Sequence, residues 1–367
     1  MTVQTGPAPQ YSGSAHAPLF RFGVISDVQW GDLPDGASFH GTPRYYREAL
    51  VSARRAVSAF KAAKVDLAIH LGDIVDYHNS HHQGKSETAL AAAIECFDDL
   101  GVPVLHCIGN HCLYNAPRSK LNELLGINVH KSASQLSGQH SYFTFRPRIE
   151  STRGAGTGYR FVVLDGYDIS LLGWPEGHPL HEQAKSILQT HNKNQDMNSN
   201  VGLEGLNKRF VRFGGGVSQQ QLGWLQQELE LARNEGDRVI VCCHLCLHPE
   251  TCAPTCLLWN YEEVLEILQA NSDVVVASLV GHAHRDGYVC DEAGIHHRVC
   301  EAVLETPPGL DCFGIVSVYD DKIVVAGHGS FDSAVWPLRS KPDGKTTSFN
   351  RQGVSTTKTT NIIVSTS

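Results

Sequence analysis

Five short polar motifs each follow directly on an apolar run that is typical of a β-strand, and this recurrence constrains the fold more than any other feature. Several of the runs are continuously apolar and rich in Val and Ile, which is typical of strands buried on both faces of a sheet. The runs occupy residues 20–26, 65–71, 102–108, 238–243 and 274–280. The motifs that follow them are Asp27-Val28-Gln29, Gly72-Asp73, Gly109-Asn110-His111, His244 and Gly281-His282-Ala283-His284.

Strands and helices alternate in the first half of the chain, whereas strands follow each other near its end. Helix-like segments at 43–64 and 86–100 separate the early strands, with Thr42 and Pro43 as the predicted start of the first helix. Ser218 and Gln221 form a predicted capping box for a later helix. The pattern predicts an α/β fold in which two mixed β-sheets pack face to face with helices outside, an αββα sandwich.

The amino-acid composition changes along the 367 residues and predicts one folded domain between two disordered ends. Residues 1–18 are rich in Gly, Pro, Ser and Ala, and 338–367 are rich in Lys, Ser and Thr, so we expect a disordered arm and a disordered tail. The catalytic domain is then 19–337. Within it, 115–217 carries long loops, which we expect to form a cap over the site.

Charge and cysteine usage exclude several classes of function. A net charge of −8 without a basic stripe argues against nucleic-acid binding. The N-terminal segment lacks the apolar core of a signal peptide, and no apolar stretch is long enough to cross a membrane. The eleven cysteines lack regular spacing and several lie in apolar runs, which favours reduced thiols in the cytoplasm over a zinc site at Cys243 and Cys246 or at Cys252 and Cys256. We also expect a monomer.

The motifs supply oxygen and imidazole ligands at the ends of strands. Asp27 and Gln29 are two residues apart, as are His282 and His284, so each pair can point to the same side of its strand. Asp73 supplies a carboxylate that can bridge two ions. These ligand types, in this order, predict two divalent metal ions that act on a phosphate ester or anhydride.

His111 has a different predicted role because it follows Asn110 directly and points elsewhere. An imidazole near neutral pH can donate a proton to a departing oxygen. We therefore assign His111 as the catalytic histidine, and we prefer His244 to His248 as a metal ligand because His244 ends its strand.

The ordered motifs resemble the calcineurin-like metallophosphoesterase superfamily over about residues 20–330, whose pattern is D-x-H, G-D, G-N-H, H and G-H-x-H. The resemblance implies that Asp73 bridges the two ions and that His111 is catalytic. It implies that one ion takes Asp27, Gln29, Asp73 and His284, and the other takes Asp73, Asn110, His244 and His282.

Gln29 departs from the superfamily pattern, which has His at this position in most members. An amide oxygen is a harder ligand than imidazole and shifts the expected preference toward Mn²⁺, with Mg²⁺ possible. The glutamine resembles one branch, the manganese-dependent ADP-ribose/CDP-alcohol diphosphatases. Further stretches similar to that branch are 44–47, 164–168, 213–216, 259–260 and 304–308.

The branch implies hydrolysis of the diphosphate linkage in small nucleoside diphosphate-X substrates. ADP-ribose would give AMP and ribose 5-phosphate, and CDP-choline would give CMP and phosphocholine. By position in the branch, Phe39, Leu206 and Cys256 are predicted to form the nucleoside pocket, although ordinary packing explains them equally well; Arg44 is a candidate phosphate contact. A broader phosphodiesterase, a phosphomonoesterase or a protein phosphatase on the same fold stays open, because fold does not fix substrate.

Overall fold

The computed structural model describes residues 17–130, 139–148 and 158–339. Its strands form two six-stranded sheets, ordered β14-β13-β12-β1-β4-β5 and β10-β11-β9-β8-β7-β6, and one small two-stranded ribbon, β2-β3. The strands are β1 Phe20–Ile25, β2 Gly36–Ala37, β3 Pro43–Arg44, β4 Leu67–His70, β5 Val104–His106, β6 Phe143–Phe145, β7 Gly158–Val163, β8 Asp237–Cys243, β9 Val275–Val280, β10 Gly287–Cys290, β11 His296–Val299, β12 Cys312–Val318, β13 Lys322–Gly329 and β14 Ala334–Pro337.

Seven α-helices in the described residues accompany the sheets. They are α1 Tyr46–Ala63, α2 Lys85–Asp98, α3 Asn110–Asn115, α4 Arg118–Leu124, α5 Pro179–His191, α6 Gln219–Glu235 and α7 Tyr261–Ala270. Helix α6 begins as predicted, with the Ser218 hydroxyl accepting from the Gln221 N–H. The Gln221 side chain, however, contacts the backbone of Asp165 instead of completing the capping box.

The two sheets pack face to face through aromatic side chains. Phe20 and Phe22 on β1 meet Tyr159 and Phe161 on β7, with ring centroids 5.2 Å apart for Phe20–Tyr159 and 5.3 Å apart for Phe22–Phe161. Both contacts are edge-on, which suits the charge distribution of aromatic rings. The predicted αββα sandwich is confirmed.

Parallel pairing brings the predicted site to one edge of the sandwich. Strand β1 pairs in parallel with β4, and β4 with β5; in the other sheet β8 pairs in parallel with β9. Because parallel strands end at the same edge of a sheet, three motifs lie together in one sheet and two in the other. Contacts of Asp73 with His244 and of Asp27 with His284 join the two groups.

The predicted start of the first helix is wrong. Pro43 and Arg44 pair with Gly36 and Ala37 in the small ribbon, and α1 begins at Tyr46 without a side-chain cap. The Tyr45 N–H donates to the Leu304 carbonyl at 2.9 Å, so a tertiary hydrogen bond holds this segment extended. Apolar runs at 142–145, 160–165, 297–303, 313–319 and 323–326 also predict strands, and these correspond to β6, β7, β11, β12 and β13. The sequence pattern missed the ribbon and the short edge strands β10 and β14.

Most of the predicted arm, residues 1–18, and most of the predicted tail, residues 338–367, lie outside the described residues. Within 115–217, β6 and β7 belong to the second sheet, while Asn198 and Phe213 line the cavity described below. The capping role of this region stays a prediction. Among the described residues, no helix has the length and apolarity that a membrane crossing needs.

A buried histidine pair makes the fold sensitive to acid. His70 on β4 and His106 on β5 are register neighbours, and neither ring nitrogen of His70 has a hydrogen-bond partner. Burial lowers the pKa of His70 to about 4 and lowers that of His106 well below its usual value. Below about pH 6.5 the unfolded chain therefore binds protons that the folded chain does not, so the free energy of unfolding falls as the pH drops toward 4.

Replacing His70→Leu is expected to remove part of this acid sensitivity. One histidine contributes up to about 1.4 kcal/mol per pH unit in this window, so the unfolding free energy of the variant should fall less steeply with decreasing pH. Urea unfolding at several pH values between 4 and 7 measures the slope. His82→Leu, at an exposed site, is the control. Equal slopes for the wild type and the His70 variant would contradict this account.

Candidate metal centre and active site

The seven predicted metal ligands meet where the ends of β1, β4, β5, β8 and β9 converge. Asp27, Gln29, Asp73, Asn110 and His244 are buried. The turns that carry them bond to one another: the Asp27 N–H donates to the Gly72 carbonyl at 3.2 Å, and the Gln29 N–H donates to the Asp73 carbonyl at 2.8 Å. The positions of the side chains are therefore set by backbone pairing between neighbouring strand ends.

The backbone at these turns is left-handed at five ligand positions. Among the described residues only seven non-glycine residues have positive φ, and five of them are predicted ligands. Such conformations cost free energy for residues with a Cβ and concentrate at functional sites, where the surrounding structure enforces them. The five φ angles are 49° at Asp27, 43° at Gln29, 56° at Asp73, 68° at His282 and 64° at His284.

One group of side chains gathers around Asp27. Its Oδ1 lies 3.3 Å from His284 Nε2 and 3.3 Å from Gln29 Nε2, and the Gln29 and His284 nitrogens are 2.8 Å apart. Oxygen and nitrogen of a glutamine amide are assigned from their surroundings, and rotating this amide by 180° directs its oxygen to the same point. Carboxylate, amide and imidazole thus converge on one position.

A second group gathers around Asp73. His244 Nε2 lies 3.2 Å from Asp73 Oδ2 and 3.2 Å from His282 Nδ1. The ligand atoms of these three side chains all lie within 4.8 Å of one another. Asp73 Oδ1 accepts from the His111 N–H at 2.7 Å, which leaves Oδ2 directed at the histidines.

One buried oxygen shows that the donor set fits a cation. Asp73 Oδ2 is buried and lacks a hydrogen bond, although it lies 3.2 Å from His244 Nε2. A buried carboxylate oxygen without a hydrogen bond costs free energy, and a divalent cation between Asp73 and the two histidines would satisfy it. Carboxylate, amide and imidazole donors together suit Mn²⁺ and Mg²⁺.

Charge pairs between the carboxylates and imidazoles dominate the electrostatics of the ligand set. Burial alone would raise the pKa of Asp27 and of Asp73, but His284 lowers the pKa of Asp27 and His244 lowers that of Asp73. Burial alone would lower the pKa of those two histidines, but the carboxylates raise each to about 9. Without metal, protons on the imidazoles therefore balance the carboxylates, and a bound cation would take over this role.

His111 is held by two contacts at one ring nitrogen. Its Nδ1 accepts from the Tyr77 N–H at 3.0 Å and lies 3.1 Å from Asp76 Oδ2. Although burial would raise the pKa of Asp76, His111 lowers it to about 2, so this carboxyl group is ionised. In the neutral ring Nδ1 accepts from Tyr77 and the proton is on Nε2, whereas in the protonated ring the Nδ1–H donates to Asp76 and Nε2 still carries a proton. His111 lines the cavity, where that proton can meet a substrate.

Tyr167 holds Asn110, and sequence reasoning assigned it no function. Its hydroxyl donates to Asn110 Oδ1 at 3.0 Å. The Tyr167 carbonyl accepts from the Arg118 guanidinium at 2.8 Å, and its N–H donates to Asp165 Oδ1 at 3.0 Å. Arg118 also pairs with the buried Asp165 carboxylate. Similarity of 164–168 to the diphosphatase branch was the signal that pointed to this segment.

A cavity of 1150 Å³ opens beside the two ligand groups. Arg44 and Cys256, both predicted to contact substrate, line it. Phe39 and Leu206 do not: Phe39 is 100% exposed, and Leu206 is 38% exposed on a 3₁₀ helix that packs near Cys256. A ring in open solvent offers no wall in this conformation, so a pocket role for Phe39 stays a prediction.

Other candidate metal clusters in residues 17–130, 139–148 and 158–339 do not include cysteine. Cys243 and Cys246 are both buried and free, so the alternative of a zinc site there gains no support. Asp286, Glu301 and Asp332 form a second acidic group. Arg298 lies 3.2 Å from Asp286 and 3.1 Å from Glu301, and this guanidinium already supplies the positive charge.

Comparisons with known proteins all point to phosphoesterases. A family model described as calcineurin-like phosphoesterase matches residues 20–286. The manganese-dependent ADP-ribose/CDP-alcohol diphosphatase of Arabidopsis thaliana is 44% identical and covers 86% of this chain and 96% of its own length. The protein of that name from Homo sapiens is 36% identical, with coverages of 88% and 94%. The crystal structure of a dimetal phosphatase from Danio rerio is 35% identical with a TM-score of 0.81, and covers 88% of this chain and 100% of its own.

Gly281→Ala tests whether close backbone approach is needed to assemble the ligands. A Cβ at Gly281 would overlap the Ser26 hydroxyl and lie 2.6 Å from Asp27 Oδ2. We expect a loss of about 1–3 kcal/mol in the free energy of unfolding, measured with urea, together with weaker Mn²⁺ binding. Gly223→Ala is the control, because nothing lies within 4 Å of its Cβ on the exposed side of α6. It should stabilise the protein by up to about 1 kcal/mol. Similar effects of the two substitutions would contradict the packing argument.

Proposed function

Since this chain belongs to the calcineurin-like phosphoesterase family and, within it, to the manganese-dependent ADP-ribose/CDP-alcohol diphosphatases, we propose that it hydrolyses the diphosphate linkage of nucleoside diphosphate-X substrates. Its products from ADP-ribose are AMP and ribose 5-phosphate, and from CDP-alcohols such as CDP-choline they are CMP and the phosphoalcohol. The observation that carries the proposal is the convergence of two ligand groups, around Asp27 and Asp73, beside one large cavity.

Two divalent ions, preferably Mn²⁺ with Mg²⁺ as a substitute, are the proposed cofactors. Asp73 would be the shared ligand, as the resemblance to the family implies, and its Oδ2 lies 3.2 Å from His244 Nε2 without a hydrogen bond. Such ions would supply positive charge to neutralise phosphoryl oxygens and would make a water molecule nucleophilic at neutral pH. The proposed ligands are Asp27, Gln29, Asp73 and His284 for one ion, and Asp73, Asn110, His244 and His282 for the other.

His111 is the proposed proton donor to the departing phosphate oxygen. Asp76 Oδ2, 3.1 Å from Nδ1, stabilises the protonated ring, in which both nitrogens carry a proton. When the oxygen–phosphorus bond breaks, the Nε2 proton passes to the leaving oxygen, and the ring becomes neutral with its remaining proton on Nδ1.

Cationic side chains in the cavity suit a substrate with two phosphates. Arg44 and Arg285 both line it. Arg44 is paired with Glu305 at 3.4 Å, whereas the carboxylate next to Arg285 in sequence, Asp286, is paired with Arg298. Arg285 therefore keeps its charge available to the phosphate that the metal ions do not hold.

A cytoplasmic location and a monomeric state are further parts of this proposal. All eleven cysteines are free, and most are buried, which suits a reducing compartment. The small-molecule substrate requires no second chain and no nucleic acid.

A product assay tests the proposed reaction. Metal-stripped protein is given ADP-ribose, CDP-choline or p-nitrophenyl phosphate, with Mn²⁺, Mg²⁺ or no metal, and the nucleotides are separated. We expect Mn²⁺-dependent release of AMP and CMP with little p-nitrophenol. His111→Asn should still bind Mn²⁺ but lose about two to four orders of magnitude in kcat.

Rapid release of p-nitrophenol with intact ADP-ribose would contradict the proposal and indicate a phosphomonoesterase on the same fold. An His111→Asn protein with wild-type kcat would contradict only the assigned role of the histidine.

Gln29→His tests the basis of the manganese preference. An imidazole in place of the amide oxygen should raise the affinity for Zn²⁺ relative to Mn²⁺ by about tenfold or more, because zinc prefers the softer nitrogen ligand. Competition with a metal-sensitive chelator measures both affinities without substrate. The exposed residue Gln227 on α6 provides the control Gln227→His. An unchanged affinity ratio in the Gln29 variant would place Gln29 outside the metal coordination sphere.

A further inference from the structure

A short segment after β11 is hydrogen-bonded to the end of β1 and to the residue before α1. The Val303 N–H donates to the Ser26 carbonyl and the Leu304 N–H to the Asp27 carbonyl, both at 3.1 Å. The Leu304 carbonyl in turn accepts from the Tyr45 N–H at 2.9 Å. This segment, a 3₁₀ turn at 303–305, therefore has its backbone fixed against the first ligand motif and against the start of α1.

The fixed backbone directs the Glu305 carboxylate between a metal ligand and the cavity wall. Its Oε1 lies 2.9 Å from His284 Nδ1 and 3.4 Å from Arg44 Nε. The side chains of Glu305, His284 and Arg44 are only 12%, 11% and 18% exposed. A carboxylate can only accept here, so His284 donates its Nδ1–H.

The hydrogen bond determines which nitrogen of His284 is available to a metal ion. With one proton held on Nδ1 by Glu305, Nε2 is the nitrogen that can release its own proton and bind a metal ion beside Asp27 Oδ1 and the Gln29 amide. We propose that Glu305 is a positioning residue that fixes the tautomer and ring orientation of His284, and that Arg44 fixes Glu305 in turn. This inference rests on the proposed metal site and adds to it a residue outside the ligand set.

The ring of His244 is oriented by a backbone group instead of a side chain. Its Nδ1 lies 2.7 Å from the Leu71 carbonyl, so a backbone group holds that ring. At His284 a charged side chain does so, and this side chain also contacts Arg44 in the cavity wall. A carboxylate partner makes the ligating nitrogen more basic than a carbonyl partner does. Glu305 thus connects the metal centre with the part of the cavity proposed to bind phosphate.

Three substitutions separate hydrogen bonding from charge. Glu305→Ala removes the acceptor, Glu305→Asp keeps the charge but shortens the reach, and Glu305→Gln keeps the reach and an acceptor oxygen but removes the charge. The control is Glu48→Gln, since Glu48 forms a comparable ion pair with Arg55 at 2.9 Å on α1 and does not line the cavity.

The experiment measures Mn²⁺ affinity of the full chain without substrate, by competition with a fluorescent chelator. Glu305→Ala and Glu305→Asp should weaken binding of the ion assigned to His284 by about 10- to 100-fold. Glu305→Gln should lose clearly less, and Glu48→Gln should match the wild type. Thermal melting of the metal-free proteins identifies any variant that fails to fold, and the Asp and Gln variants decide the matter if Glu305→Ala does.

Wild-type affinity in the Asp variant, or equal losses in the Asp and Gln variants, would overturn the positioning role. Failure of the wild type itself to bind Mn²⁺ would instead contradict the proposed function, so the two failures are distinguishable.

Discussion

The site depends on left-handed turns directly after buried strands. A residue with a Cβ resists this conformation by about 1–2 kcal/mol, so isolated turns of this kind would relax. Here they are enforced by the rigid strands before them and by hydrogen bonds between turns, such as Gln29 N–H to the Asp73 carbonyl and Gly281 N–H to the His244 carbonyl. The sheets therefore supply the free energy that holds the ligands in place, and small residues such as Gly281 permit the close approach.

Burial of several charged groups at one sheet edge follows from this arrangement. Asp27 and Asp73 are almost completely buried, and burying unpaired carboxylates is strongly unfavourable. In the metal-free protein the protonated His244 and His284 balance them. Two divalent cations would do so more completely and would satisfy the Asp73 oxygen that lacks a hydrogen bond. The buried carboxylates, which are unfavourable without a positive counter-charge, therefore favour the binding of metal ions.

The ligand motifs could be predicted from sequence because each is local: an apolar strand, then one or two polar residues at its end. Their convergence follows from the parallel pairing that such strands adopt. Tertiary contacts were beyond this reasoning. Tyr167 and Glu305 act through partners 57 and 21 residues away, and no periodicity encodes such contacts. The start of the first helix was predicted at Pro43 because Thr42 and Pro43 form a good local helix start. In the structure a hydrogen bond between Tyr45 and Leu304 keeps these residues extended. That outcome puts Arg44 in the cavity wall.

The count of bound Mn²⁺ ions tests the central claim most directly. Metal-stripped protein is dialysed against Mn²⁺, the bound metal is quantified per chain, and electron paramagnetic resonance reports whether the ions interact magnetically. The account predicts two ions per chain with the spectrum of a coupled pair, because Asp73 would be shared by both ligand groups. A single ion per chain, or two ions without magnetic coupling, would contradict a dinuclear centre built on these strand ends.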